Sequence, residues 1–213
     1  MDENEIQYTK NLELYMKEVG EQSLCLSMLH KSCESVFSNK SLAIDLPVII
    51  LSTITGSLTL SSKSLFGEEN EENALKIVGT MSLFAGILGT IQAYFAFSRR
   101  SENHKNSYLS YGKLYREIKV QLGLPRGKGR MCARDLLRQI DAEYQRLDEL
   151  SPLIPVGVVN SFKKKYKGST VDRPPSINGL EQIKIYCKED TETPSVPSLV
   201  GENVVLDINE IIV

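Results

Sequence analysis

Two uncharged runs stand close together in the first half of the chain, Leu46–Ser62 with 17 residues and Ile77–Ser98 with 22. As helices rising about 1.5 Å per residue they make rods of roughly 25 and 33 Å, against a hydrocarbon slab of about 30 Å. This pairing predicts a mainly α-helical, integral membrane chain built on a two-helix transmembrane hairpin. The spans are placed at about 42–62 and 74–98 and the acidic loop at 63–73, within a hairpin region 41–98.

The net charge of −2 over 213 residues hides an uneven distribution. Residues 1–40 hold 4 bases and 7 acids, 41–98 hold 2 and 5, 99–167 hold 16 and 7, and 168–213 hold 3 and 8. The basic excess begins at Arg99, Arg100 and Lys105, directly after the second run, while Lys31 and Lys40 precede the first. Lys and Arg near span ends set orientation, so both termini are expected on the cytoplasmic side. Met1–Gly20 is charged and polar with no apolar centre, so the first span is expected to direct insertion itself.

From Glu5 to Phe37 a 3-4 spacing of Leu12, Tyr15, Val19, Leu26, Leu29, Cys33 and Val36 predicts an amino-terminal cytoplasmic helix within 1–40. Ser38-Asn-Lys-Ser41 is expected to interrupt it, with Pro47 near the first turn of the next helix. After the second span the rhythm continues through Phe97, Ser101, His104, Tyr108, Tyr111, Tyr115, Ile118 and Leu122, predicting one long helix that runs on into the cytoplasm. Pro125-Arg-Gly-Lys-Gly-Arg130 reads as a basic turn. Met131–Leu150 reads as an amphipathic helix with Leu137, Ile140, Tyr144 and Leu147 on one side.

Ser151-Pro-Leu-Ile-Pro155 ends that helix, because each proline disfavours helical backbone in the residue before it. A short helix or strand is expected over Val156–Tyr166, which completes a helical region 99–167. The tail 168–213 is rich in Pro, Ser, Thr and acids, with Arg173-Pro-Pro175 as a loop marker. Its two strand-like runs, Gln182–Cys187 and Asn203–Ile208, either pair as a small β unit or form a flexible tail.

In the first span Ser52, Thr55, Thr59 and Ser62 share one helix face. Hydroxyls gain nothing from lipid, so this face either lines a pore shared by several copies or bonds its own i−4 carbonyls and packs on the second span. The second span offers Ser82, Gly86 and Thr90, and Ala85, Gly89 and Ala93, at four-residue spacing. Such spacing, with Gly79 nearby, allows close helix packing within or between chains. The amide of Gln92 is costly in hydrocarbon and is expected to face inward. Arg99, Arg100, Lys105, Lys163, Lys164 and Lys165 either contact anionic headgroups or form a basic cytoplasmic mouth.

No catalytic constellation is present, whether HExxH, GxSxG or a phosphate loop, and no cofactor or metal is expected. Cys25, Cys33, Cys132 and Cys187 form no CxxC pair and are expected as reduced thiols. His30 and His104 read as surface or packing residues. The basic segment adjoins the bilayer and needs no nucleic acid to explain it.

The segment Asn39-Lys-Ser-Leu-Ala-Ile-Asp-Leu-Pro-Val-Ile-Ile-Leu-Ser-Thr-Ile-Thr-Gly56 resembles the start of the first span in SLATT proteins, two-span effectors associated with nucleotide-second-messenger sensor domains. His104-Lys-Asn-Ser-Tyr-Leu-Ser-Tyr-Gly-Lys-Leu-Tyr-Arg-Glu-Ile118 and the Ser151–Pro155 break are similar too, so the likeness covers roughly 10–167. The resemblance implies an oligomeric, pore-forming membrane protein, often the killing arm of a bacterial conflict system, with stand-alone relatives in eukaryotes and large DNA viruses. Residues 1–213 show no pattern expected of a fused sensor domain, and the tail 168–213 has no counterpart in the resemblance.

The sequence therefore predicts a homo-oligomeric ion channel in the lipid bilayer. Ions would permeate past the first-span hydroxyls, and the cytoplasmic helices, with their regulator, would gate it. The alternatives are a membrane-anchored scaffold without conductance and a soluble helical protein with two buried hairpin helices.

Overall fold

The structure is a computed structural model that describes residues 6–127, 129–168 and 170–179, with side chains outside 62–71. The described residues form helices α1 (Lys10–Phe95), α2 (Phe97–Gly123), α3 (Ala133–Leu150), α4 (Val156–Lys165) and α5 (Pro175–Asn178). No strand occurs among them. The strand-like runs 182–187 and 203–208 lie outside the described residues.

α1 opens at Thr9, whose Oγ1 accepts the Leu12 N–H at 3.2 Å and so satisfies one of the free donors of the first turn. An unbent helix as long as α1 would hold Ser41 and Gln92 roughly 75 Å apart. Both line one cavity, so the chain doubles back into two antiparallel arms, Lys10–Ser61 and Glu72–Gly123. Residues 63–73, expected as a loop, keep helical backbone throughout and lie inside α1.

Below Ser41 the arms keep a constant register. Ser27 Oγ donates to the Tyr108 carbonyl at 2.9 Å, Ser101 Oγ donates to the Glu34 carbonyl at 3.2 Å, and the Phe37 and Phe97 rings lie 6.3 Å apart. The helices approach closely at Gly20, where a Cβ would stand 3.1 Å from Ile118 Cγ2. α3 and α4 close this half into a bundle. Its core joins Met16, Leu26 and Leu29 to Tyr111, Leu114, Ile118, Leu136, Ile140, Leu147, Phe162 and Ile177. Glu13 ties the far end of the bundle to the basic turn through Arg126 and Arg130.

The other half is built differently. Among the described side chains of the hairpin beyond Ser41, only Thr55, Ala74 and Val78 are buried, while large apolar side chains face outward along both arms, from Ile49 and Leu60 on the first to Ile77 and Leu83 on the second. Leu60 is 90% exposed and Leu83 66%. Two helices here are long and apolar enough to cross a membrane.

Several expectations change. Ser38–Ser41 does not interrupt the first helix, because it holds no Gly or Pro and both Phe37 and Ser41 are buried against the second arm. Pro47 consequently sits inside α1, not in a first turn. Such a proline typically costs about 3 kcal/mol in water, but is common in spans where neighbouring groups re-satisfy the freed carbonyl. The buried stripe ends on Phe37, while Val36 faces outward. Val156–Lys165 is a helix, and the proline pair at 174–175 starts the single turn α5.

The expected continuous second helix breaks at one residue. Ala96 takes left-handed backbone, φ 45° and ψ 45°, although the Ala96 N–H still reaches the Gln92 carbonyl at 2.9 Å and the Arg100 N–H the Ala96 carbonyl at 3.1 Å. In an unbroken helix, side chains two residues apart point away from one another. The break instead brings the Phe95 and Phe97 rings into parallel stacking with centroids 5.2 Å apart. That aromatic stack, absent from any local sequence signal, accompanies the left-handed residue.

Candidate functional site: the neck between hairpin and bundle

The two halves meet at a polar cleft of about 460 Å³ between the arms, lined by Ser41 and Asp45 from one side and Gln92, Arg99 and Glu102 from the other. Ser41 Oγ donates to Asp45 Oδ2 at 2.7 Å, one helical turn away. The second carboxylate oxygen, Oδ1, is buried and has no hydrogen-bond partner among the described residues. An apolar hairpin therefore opens onto a carboxylate and an amide that face the same space. The sequence expectations do not include Asp45; the one local signal for it is its four-residue spacing from Ser41, which sets the two side chains on one helix face.

Beside the cleft runs an aromatic ladder. Phe95 stacks on Phe97, Phe37 on His104 with centroids 5.3 Å apart, and His30 on Tyr111 at 5.7 Å, so rings connect the hairpin to the bundle core. In its middle the Nδ1 atoms of His30 and His104 lie 2.9 Å apart in the buried interior. Burial, and then the neighbouring His104, holds His30 down at about 4, and burial lowers His104 as well. Two facing Nδ1 atoms need one donor and one acceptor, so the pair is stable with both rings neutral. Burial also pushes the Cys33 thiol up to about 11. Lys40 Nζ caps the ladder, 5.7 Å from the Phe37 ring centroid and 5.8 Å from that of Phe97.

The hydroxyl stripe divides. Thr55 is buried within the hairpin and its Oγ1 has no partner among the described residues, while Ser52 and Thr59 are exposed. Thr59 Oγ1 donates to the Thr55 carbonyl at 2.7 Å. The side chain of Ser62 lies outside the described residues.

On the second arm Gln92 and Gly89 are half-buried and line the cleft. Gly79, Ser82, Gly86 and Thr90 are exposed, and a Cβ added at Gly79 or Gly86 would meet nothing within 4 Å. The Thr90 hydroxyl is satisfied by its own helix, donating to the Gly86 carbonyl at 2.9 Å. A Cβ added at Gly89 would likewise meet nothing within 4 Å, so neither small-residue face of the second arm is packed closely within the chain.

Arg99, Arg100 and Lys105 are exposed just past the break, and Lys163, Lys164 and Lys165 form the exposed last turn of α4. Cys25, Cys33 and Cys132 form no disulfide among the described residues, and Cys187 lies outside them. No group of three or more His, Cys, Asp or Glu among the described residues is placed to hold a metal ion. No protein-family model, curated protein or solved structure matches the chain.

Proposed function

We propose that this chain is a two-span membrane protein whose hairpins associate, in several copies, into an ion-conducting path. The carrying observation is the contrast between its halves: a bundle with an ordinary buried core, and a hairpin whose large apolar side chains face outward along both arms. Soluble monomers rarely leave so long an apolar surface uncovered, whereas hydrocarbon satisfies it. The basic residues past the neck favour placing the bundle, and both chain ends with it, on the cytoplasmic side.

Self-association draws support from the uncovered face at Gly79, Ser82, Gly86 and Thr90, where nothing in the chain prevents close backbone approach. Conduction draws support from the exposed hydroxyls of Ser52 and Thr59 and from the polar cleft at the neck. Hydroxyls replace part of an ion's hydration without holding it strongly, and the carboxylate and amide supply a wet mouth. One hairpin encloses no channel, so the path requires several copies.

The test begins with alkaline carbonate extraction, which leaves an inserted protein in the membrane fraction. Purified protein in sealed liposomes then passes ions down potassium or chloride gradients, and the S52L/T59L pair reduces that flux while membrane insertion persists. Release by carbonate refutes the membrane reading. Insertion without flux across pH, calcium and voltage refutes the pore and leaves an anchored scaffold.

A further inference from the structure

Between the first arm and α4 lies a groove of about 860 Å³, separate from the cleft at the neck. Its apolar lining comes from Met28 and Val36 of α1 and from Val158 and Phe162 of α4. Its charged lining is Lys31, Lys40 and Lys165, and no carboxylate lines it. Among the described residues none of these three lysines makes an ion pair, although Lys17, Lys76 and Lys113 each find a glutamate on their own helices. Hydroxyls of Ser32, Ser35 and Ser161 also reach the groove.

Three unneutralised ammonium groups above an apolar floor match an amphiphile with a negative head. The position of the groove selects which one. Lys40 precedes the expected first span at Leu42 by two residues, about 3 Å of helix, so the Lys40 end of the groove opens at the level of the membrane surface, with Lys31 about 16 Å of helix from the span. Leu153, 95% exposed, and Val156 add apolar surface where the chain enters α4. A soluble anion would have no use for that floor, and an acidic peptide would need to compete with the adjoining leaflet.

We infer that this groove holds the headgroup of an anionic phospholipid from the cytoplasmic leaflet, its phosphate among Lys31, Lys40 and Lys165 and its glycerol and upper acyl carbons over Val36, Val158 and Phe162. The site rests on the membrane reading above and adds to it a defined lipid, bound at residues that do not line the cleft at the neck. α4 is thereby fastened to the first arm by a molecule of the bilayer.

The full chain is reconstituted in phosphatidylcholine nanodiscs containing one fifth phosphatidylserine, gently extracted, and examined by native mass spectrometry for retained lipid. Wild type should keep phosphatidylserine over phosphatidylcholine. K31Q/K40Q/K165Q should lose that preference, by about five-fold per lysine for charges near an anionic surface. K10Q/K17Q/K119Q removes the same charge from exposed lysines outside the groove and should keep it. Equal loss in both triple variants, or a wild type without preference, overturns the inference. So does wild-type retention that an acidic peptide or inorganic phosphate abolishes as effectively as an excess of phosphatidylserine micelles. Carbonate extraction of the same preparations separates the two levels: a protein that leaves the membrane refutes the membrane reading, and an inserted protein without lipid preference refutes the groove alone.

Discussion

His30 and His104, one from each arm, face each other through Nδ1 atoms 2.9 Å apart in the interior of the bundle neck. Their rings are flanked by Tyr111 and Phe37, so a proton added to either ring enters a space walled by aromatic faces with a second imidazole beside it.

Both histidines titrate lower in the folded protein than their ordinary value of 6.5, His30 at about 4. Between these values the unfolded chain binds protons that the folded one refuses. Stability is therefore complete above pH 6.5 and falls on acidification, by up to about 1.4 kcal/mol per pH unit for each histidine. Thermal unfolding of the detergent-solubilised protein should show a lower midpoint at pH 5 than at pH 7.5. H104F, which keeps the stack on Phe37, should flatten that dependence, and an unchanged profile would contradict the pair's neutrality.

Glu13 accepts from Arg126 Nε at 3.0 Å and also binds Arg130, whose side chain is only 2% exposed. The two guanidinium groups hold its carboxyl down at about 2, so the interaction is complete above pH 4.5 and is lost as pH falls toward 2. E13Q leaves Arg130 with the Gln121 carbonyl and the face of Tyr8 as its neighbours. The expected cost is about 2 kcal/mol, read as a lowered unfolding midpoint at pH 7 that shrinks below pH 3.

At Ala96 the left-handed backbone penalises any residue with a Cβ. A96G should stabilise the fold by roughly 1 kcal/mol, and A96V should destabilise it by more than that. Thermal unfolding of both variants checks the sign, and stabilisation by valine would place an ordinary helix through this position.

Gly20 and Gly86 make opposite predictions although both are glycines within α1. G20L forces a side chain into Ile118 and should cost about 1–3 kcal/mol of bundle stability. G86L meets nothing within its own chain, so the monomer fold should persist. Cross-linking in liposomes should then show fewer oligomers for G86L alone. Undiminished oligomers would place the subunit contact on another face.

The amphipathic helices were legible because burial repeats along them with the helical period. Tyr111, Ile118, Ile140 and Leu147 all stand on the expected faces, and the proline break at 151–155 separates α3 from α4. The hydroxyl stripe was less legible. Periodicity sets Thr55 beside Ser52 and Thr59, but the second arm covers only Thr55, and helical spacing alone carries no record of where a neighbouring helix lies. Phe37 displaces Val36 from the buried stripe for the same reason.

By itself the sequence determined that two apolar segments form helices, that a basic flank follows them and that amphipathic helices pack beside them, because period, length and charge are local properties. Only the tertiary structure decided that His30 meets His104, that Asp45 and Gln92 line one cleft, and that Ala96 leaves the helix so that Phe95 and Phe97 stack. The first two depend on the antiparallel register of the arms, which is set by contacts between residues some fifty to eighty positions apart, and no window along the chain contains both partners; the third follows from the left-handed backbone at Ala96, which helical periodicity does not announce.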